Sequence, residues 1–175
     1  MGMYNILFLG YVVLLGTSFF AFAQTLLSFD LANLTERFSE SIPVNFIGGF
    51  LIFNAIAIAM MWLQVVVPPL LDGSMIPVEV EHYTTLIVQG LDLGLLLPLS
   101  FVSGLLFIRR KPFGYLLTPV YFVFLSIMMA ALTAKIIAMG FHGQTVIPAI
   151  VIIPLFGLIS ISCVVVIFNK LKEPD

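Results

Sequence analysis

Charge is what this chain has least of. Only 9% of its 175 residues are Asp, Glu, Lys or Arg, against 61% hydrophobic, whereas soluble domains carry about a quarter charged residues. So few charges cannot cover a water-facing exterior, which excludes an ordinary soluble domain and makes lipid the solvent for most of the surface. The formal net charge is −2, so there is no basic footprint for nucleic acid. Cysteine is nearly absent too. Cys163 stands alone inside the last apolar run, which excludes an intrachain disulfide; with no cation beside it in sequence it reads as a small packing residue. There is no phosphate-cradling glycine loop, no HExxH, no GxSxG and no CxxC, so none of the common catalytic motifs is present. The expectation is a non-enzymatic protein with no cofactor.

What the chain has instead is apolar runs. Five are long enough to cross a bilayer, about 5–28, 44–67, 84–108, 115–139 and 146–168, at about 1.5 Å of rise per residue through about 30 Å of hydrocarbon. Lipid supplies no partner for backbone N–H and C=O groups, so each run must be helical. The predicted fold is all-α: a polytopic transmembrane bundle of five helices, with 1–175 forming a single integral-membrane domain.

The few cations set an orientation. Arg109, Arg110 and Lys111 lie between the third and fourth runs, Lys170 and Lys172 follow the fifth, and Arg37 lies between the first and second. Five crossings bring all six to one side, which is cytoplasmic by the excess of Lys and Arg in inner loops. The N-terminus is then outside and the C-terminus inside, with Lys135 alone towards the outer face. The predicted location is the cell membrane, multi-pass, with the lipid bilayer as first partner. Ala21-Phe22-Ala23 before Gln24 has the look of a signal-peptide cleavage site. However, no Lys or Arg precedes the run, and its removal would turn the cationic loops outward, so it is read as the first spanning helix.

Between the runs, residues 28–43 fit a short helix on the membrane surface, with Leu31, Leu34 and Phe38 sharing a face and Asp30 as its cap. Residues 68–83 form an acidic outer loop that starts where Pro68-Pro69 should end the second helix. The first helix carries a seam of Gly10, Leu14, Thr17, Ala21 and Gln24, suited to close packing.

The most informative pattern is in the third run. On a helical wheel Thr85, Gln89, Asp92, Ser100 and Ser103 fall within about a quarter of the circumference. Asp92 is the only acidic residue well inside any apolar run, and a carboxylate at depth costs about 2.5–3.5 kcal/mol on insertion scales. Gly90 and Gly94 form a GxxxG on a neighbouring face, suited to tight packing. Pro98 cannot donate to the carbonyl of Gly94, which frees a backbone acceptor beside the stripe. Two readings compete. In one, Asp92 contacts an ion, proton or ligand in an outward-opening cavity, with Lys135 as the counter-ion to test. In the other it is a polar tie to Asn54, Ser126 or Thr133, and Lys135 snorkels to the outer interface. On the outer side Glu79, Glu81, His82 and His142 offer metal-ligating atoms in no defined spacing, and the two histidines are the types that ligate haem; a solvated loop is the plainer reading.

The run His82-Tyr83-Thr84-Thr85-Leu86-Ile87-Val88-Gln89-Gly90-Leu91-Asp92-Leu93-Gly94, with Arg109-Arg110-Lys111-Pro112-Phe113-Gly114-Tyr115-Leu116-Leu117, resembles a family of small prokaryotic polytopic membrane proteins. The resemblance implies a bacterial or archaeal membrane protein and no particular activity. Members of that family often carry a Lys in the first half of the following helix; here Val123 to Met128 contain no cation, so no ion pair carries over.

Three functional expectations follow. The first is a polar, outward-facing intramembrane site around Asp92 that binds an ion or small solute. The second is a scaffold or accessory subunit that packs in a homo-oligomer or larger membrane complex. The third is a membrane redox or metal protein using His82 and His142.

Overall fold

The computed structural model describes residues 7–73 and 86–172, without the side chains of Phe8, Ala32 and Asp72. The elements are α1 (Phe8–Leu27), α2 (Leu31–Leu34) running into a 3-10 turn (Thr35–Arg37), α3 (Val44–Asp72), α4 (Ile87–Leu91), a π-helical turn (Asp92–Leu96), α5 (Leu97–Ile108), α6 (Pro112–Phe141) and α7 (Ala149–Asn169). The α4–π–α5 series forms one span, Ile87–Ile108, so five helices are long and apolar enough to cross a membrane. No strand occurs among the described residues, only an isolated bridge between Phe38 and Leu171.

Four of the five long helices make the bundle. α3 packs on α5, α5 on α6 and α6 on α7, and aromatic contacts of Phe156 with Phe50 and Phe53, at 5.5 and 6.2 Å, close α7 back onto α3. Lipid rewards no apolar burial, so the closest contacts are made by small residues. At the α3–α5 crossing, a Cβ on Gly104 would lie 2.5 Å from the Gly48 carbonyl oxygen, and one on Gly48 would lie 2.6 Å from that of Gly104. Within a mainly apolar interior, Asn54, Ser100, Ser103, Thr118 and Ser160 are all buried, while Leu, Ile, Val and Phe side chains cover the outside.

Several expectations change in detail. The second helix does not stop at Pro68-Pro69; it runs through both to Asp72 and ends on Gly73, which is left-handed at φ 77°. Such a glycine is a common helix stop, and carbonyls freed by proline near a helix end can reach interfacial water. Phe38 does not lie on the membrane surface. It is buried against Tyr115, with ring centroids 4.8 Å apart, and Leu34 packs against the same core, so the 28–43 segment plugs the end of the bundle. Asp30 Oδ2 accepts from Asn33 Nδ2 at 2.7 Å. The close glycine contact is not at Gly90 and Gly94, where an added Cβ would meet nothing within 4 Å. The seam on α1 is likewise unused among the described residues: no part of that span is buried, and a Cβ on Gly10 or Gly16 would meet nothing within 4 Å.

The cationic segments do converge. Lys172 N–H donates to the Arg37 carbonyl at 2.8 Å, Ser39 N–H to that of Lys170 at 2.9 Å, and Arg110 Nη2 to that of Glu40 at 3.3 Å. Arg37, Arg110, Lys170 and Lys172 thus share one end of the bundle.

Candidate functional site

Asp92 begins the π-helical turn. The Leu97 N–H donates to the Asp92 carbonyl, a five-residue spacing, directly before Pro98. A proline ring clashes with the carbonyl four residues back and cannot donate to it; widening the preceding turn accommodates both defects. Such π-turns recur at functional sites.

The carboxylate is half-buried. Its Oδ2 accepts from Trp62 Nε1 of α3 at 2.8 Å, and no described residue donates to its Oδ1. The tie expected to Asn54, Ser126 or Thr133 is therefore to Trp62 instead. Ser126 and Thr133 donate back to their own helix, to the carbonyls of Phe122 and Met129 at 2.8 and 2.7 Å. Lys135 is exposed on α6, and the partner of Asp92 is a neutral indole, not a cation.

Trp62 is a partner that the sequence reading missed, and matching depth is the signal that could have found it. It lies 18 residues into α3 from Val44, and Asp92 lies 16 residues back from Ile108. In antiparallel neighbours that start at one end of the bundle, these positions fall at about 27 and about 24 Å.

Below Asp92 the stripe turns inward as expected. Ser100 and Ser103 are fully buried. Ser100 Oγ donates to the Leu51 carbonyl of α3 at 3.1 Å, and the Tyr121 phenol of α6 approaches Ser100. Thr118 Oγ1 donates to the Ser103 carbonyl at 3.2 Å. Two buried oxygens, Asn54 Oδ1 and Ser103 Oγ, have no hydrogen-bond partner. Gln89, one turn towards the other end from Asp92, is half-buried. Thr85 lies outside the described residues, as do Glu79, Glu81 and His82; His142 is exposed just after α6.

The two serines should respond differently to removal of the hydroxyl. Ser100→Ala breaks an interhelical bond and should cost about 0.6 kcal/mol, at most about 1.7. Ser103→Ala deletes a buried hydroxyl that bonds to nothing and should be neutral or slightly stabilising. Denaturation of the two variants in one detergent checks the order.

No family model, curated protein or solved structure matches this chain. The chemistry of the site therefore rests on its geometry: a carboxylate oxygen to which no described residue donates, beside a widened helical turn, between a tryptophan and a column of hydroxyls.

Proposed function

We propose that the chain is a small non-enzymatic protein of the cell membrane, N-terminus outside and C-terminus inside, that holds an ion or small solute at Asp92. The convergence of Arg37, Arg110, Lys170 and Lys172 at one end supports the orientation. One observation carries the site: Asp92 spends Oδ2 on the Trp62 indole, while no described residue donates to Oδ1. An intramembrane carboxylate with a neutral partner and an open oxygen favours a cation or a hydrogen-bond-donating solute over an anion.

Trp62 is the only tryptophan, so intrinsic fluorescence reads this site without labels. Titrating the detergent-purified protein with Na⁺, K⁺, Mg²⁺ and Ca²⁺ at constant ionic strength should give a saturable emission change for at least one of them. Asp92→Asn should abolish it. A flat titration with all four, or an undiminished response in the variant, sinks the cation reading.

The scaffold reading has its own support in α1, a spanning-length helix with no buried part and small residues on one face. If that helix docks on a second protein or a second copy, cysteine cross-linking through Gly10 or Ala21 should give discrete adducts rather than a smear. For the third reading, His142 is exposed and His82 lies outside the described residues, so no observation favours it.

A further inference from the structure

Between α3 and α7, on the lipid-facing side, runs an apolar groove of about 220 Å³ lined by Pro43, Phe46, Ile47, Ser162, Cys163 and Val166, among others. Along α7 it extends from Leu158 to Val166, eight residues or about 12 Å. That is close to the depth of one leaflet's hydrocarbon, about half of 30 Å. Its end is not apolar. Lys170, the residue that follows α7, lies four residues beyond Val166, and its Nζ donates to Ser41 Oγ at 3.0 Å. The Ser41 hydroxyl in turn lies 2.9 Å from that of Ser39.

This polar mouth is held in place. Backbone bonds from Ser39 to Lys170 and from Lys172 to Arg37 clamp the segment before α3 onto the end of α7. The clamp brings Lys172 and Arg37 beside Lys170. No described carboxylate pairs with Lys170; the acids of the same segment, Glu36 and Glu40, are exposed.

We infer that this groove is a site for one anionic phospholipid of the inner leaflet, its phosphate at Lys170 and the Ser39–Ser41 hydroxyls and an acyl chain along Ile47, Ser162 and Val166. Charge complementarity selects the occupant. A zwitterionic lipid or an uncharged helix fills the groove equally well but leaves the cationic mouth unanswered, whereas basic pockets between spanning helices on the inner side suit anionic headgroups. The inference rests on the proposed orientation and is independent of the Asp92 site.

Native mass spectrometry of the full chain, in detergent with added phosphatidylglycerol, phosphatidylcholine or inorganic phosphate, tests it. Phosphatidylglycerol should be retained at least about five-fold more than phosphatidylcholine, the factor expected for one basic side chain near the headgroup. Lys170→Gln should bring the two lipids level, and Lys170→Arg should keep the preference. Ser162→Trp, which fills the groove from its lining, should remove phosphatidylglycerol while the melting temperature stays unchanged. Equal retention of both lipids by the wild type overturns the inference without any variant. So does displacement of phosphatidylglycerol by inorganic phosphate, which would mean that the mouth alone binds. A dimer that Ser162→Trp dissociates would assign the groove to a second copy and overturn it equally.

Discussion

Gly104→Leu should break the bundle where α3 crosses α5, whereas Gly49→Leu should leave it intact. The side chain at 104 would enter space held by the Gly48 backbone, since the first carbon alone would sit 2.5 Å from that carbonyl oxygen. A rigid backbone on the far side cannot rotate away as a side chain can. Even Gly104→Ala should cost about 1–3 kcal/mol by overpacking, and the leucine variant more. Gly49 is the control that isolates the cause: it neighbours Gly48 in the same helix, yet an added Cβ there would meet nothing within 4 Å. Melting in detergent should show the 104 variants low and the 49 variant near wild type. Equal losses at both positions would mean that general helix effects, not the crossing, account for the sensitivity.

Trp62→Phe should be the second large loss, about 1.5–3 kcal/mol, the usual worth of a hydrogen bond to a charged group. The change keeps an aromatic ring at that depth but removes the donor together with part of the ring volume, leaving Asp92 without the indole that now meets Oδ2 at 2.8 Å. Asp92→Asn keeps an acceptor for the indole and should cost less. In an Asp92→Leu background the Trp62→Phe penalty should fall to its packing part alone, because there is no longer an acceptor to strand. Additive effects of Trp62→Phe and Asp92→Leu would mean that the 2.8 Å contact contributes little to stability.

Much of this was legible in the residues. Five apolar runs bounded by Lys, Arg and Pro give the five long helices, because length and hydropathy are the constraints that lipid imposes. The stripe of Ser100 and Ser103 was legible for the same reason, since hydroxyls face protein when lipid is the alternative. The disturbance before Pro98 was legible from the chemistry of proline, although the form it takes, a π-turn from Asp92 to Leu96, depends on the neighbouring helix. The choice of partners was harder to read. GxxxG spacing at Gly90 and Gly94 and the seam on α1 are compatible with contact, but spacing does not say which face meets a neighbour; that is set by how α3 and α5 cross at Gly48 and Gly104. The place of Phe38 is ambiguous in the sequence because an amphipathic segment beside a membrane has two apolar destinations, the bilayer and the open end of the bundle. The aromatic cluster that receives Phe38, Tyr115 with Phe107 edge to face at 5.0 Å, is not visible in a linear string.

The clamp of residues 170–172 onto residues 37–39 bears on how the protein matures at the ribosome. Sequence separation of some 130 positions is large for any pairing, and here it joins the segment ahead of the second span to the residues that follow the last one. The latch can therefore close only after the last span has been made, on an end that Phe38 already plugs against Tyr115. Chains stalled or shortened before Lys170 would keep the helices and lose both latch bonds, and a quality-control protease reaching that end of the bundle would meet an unlatched segment.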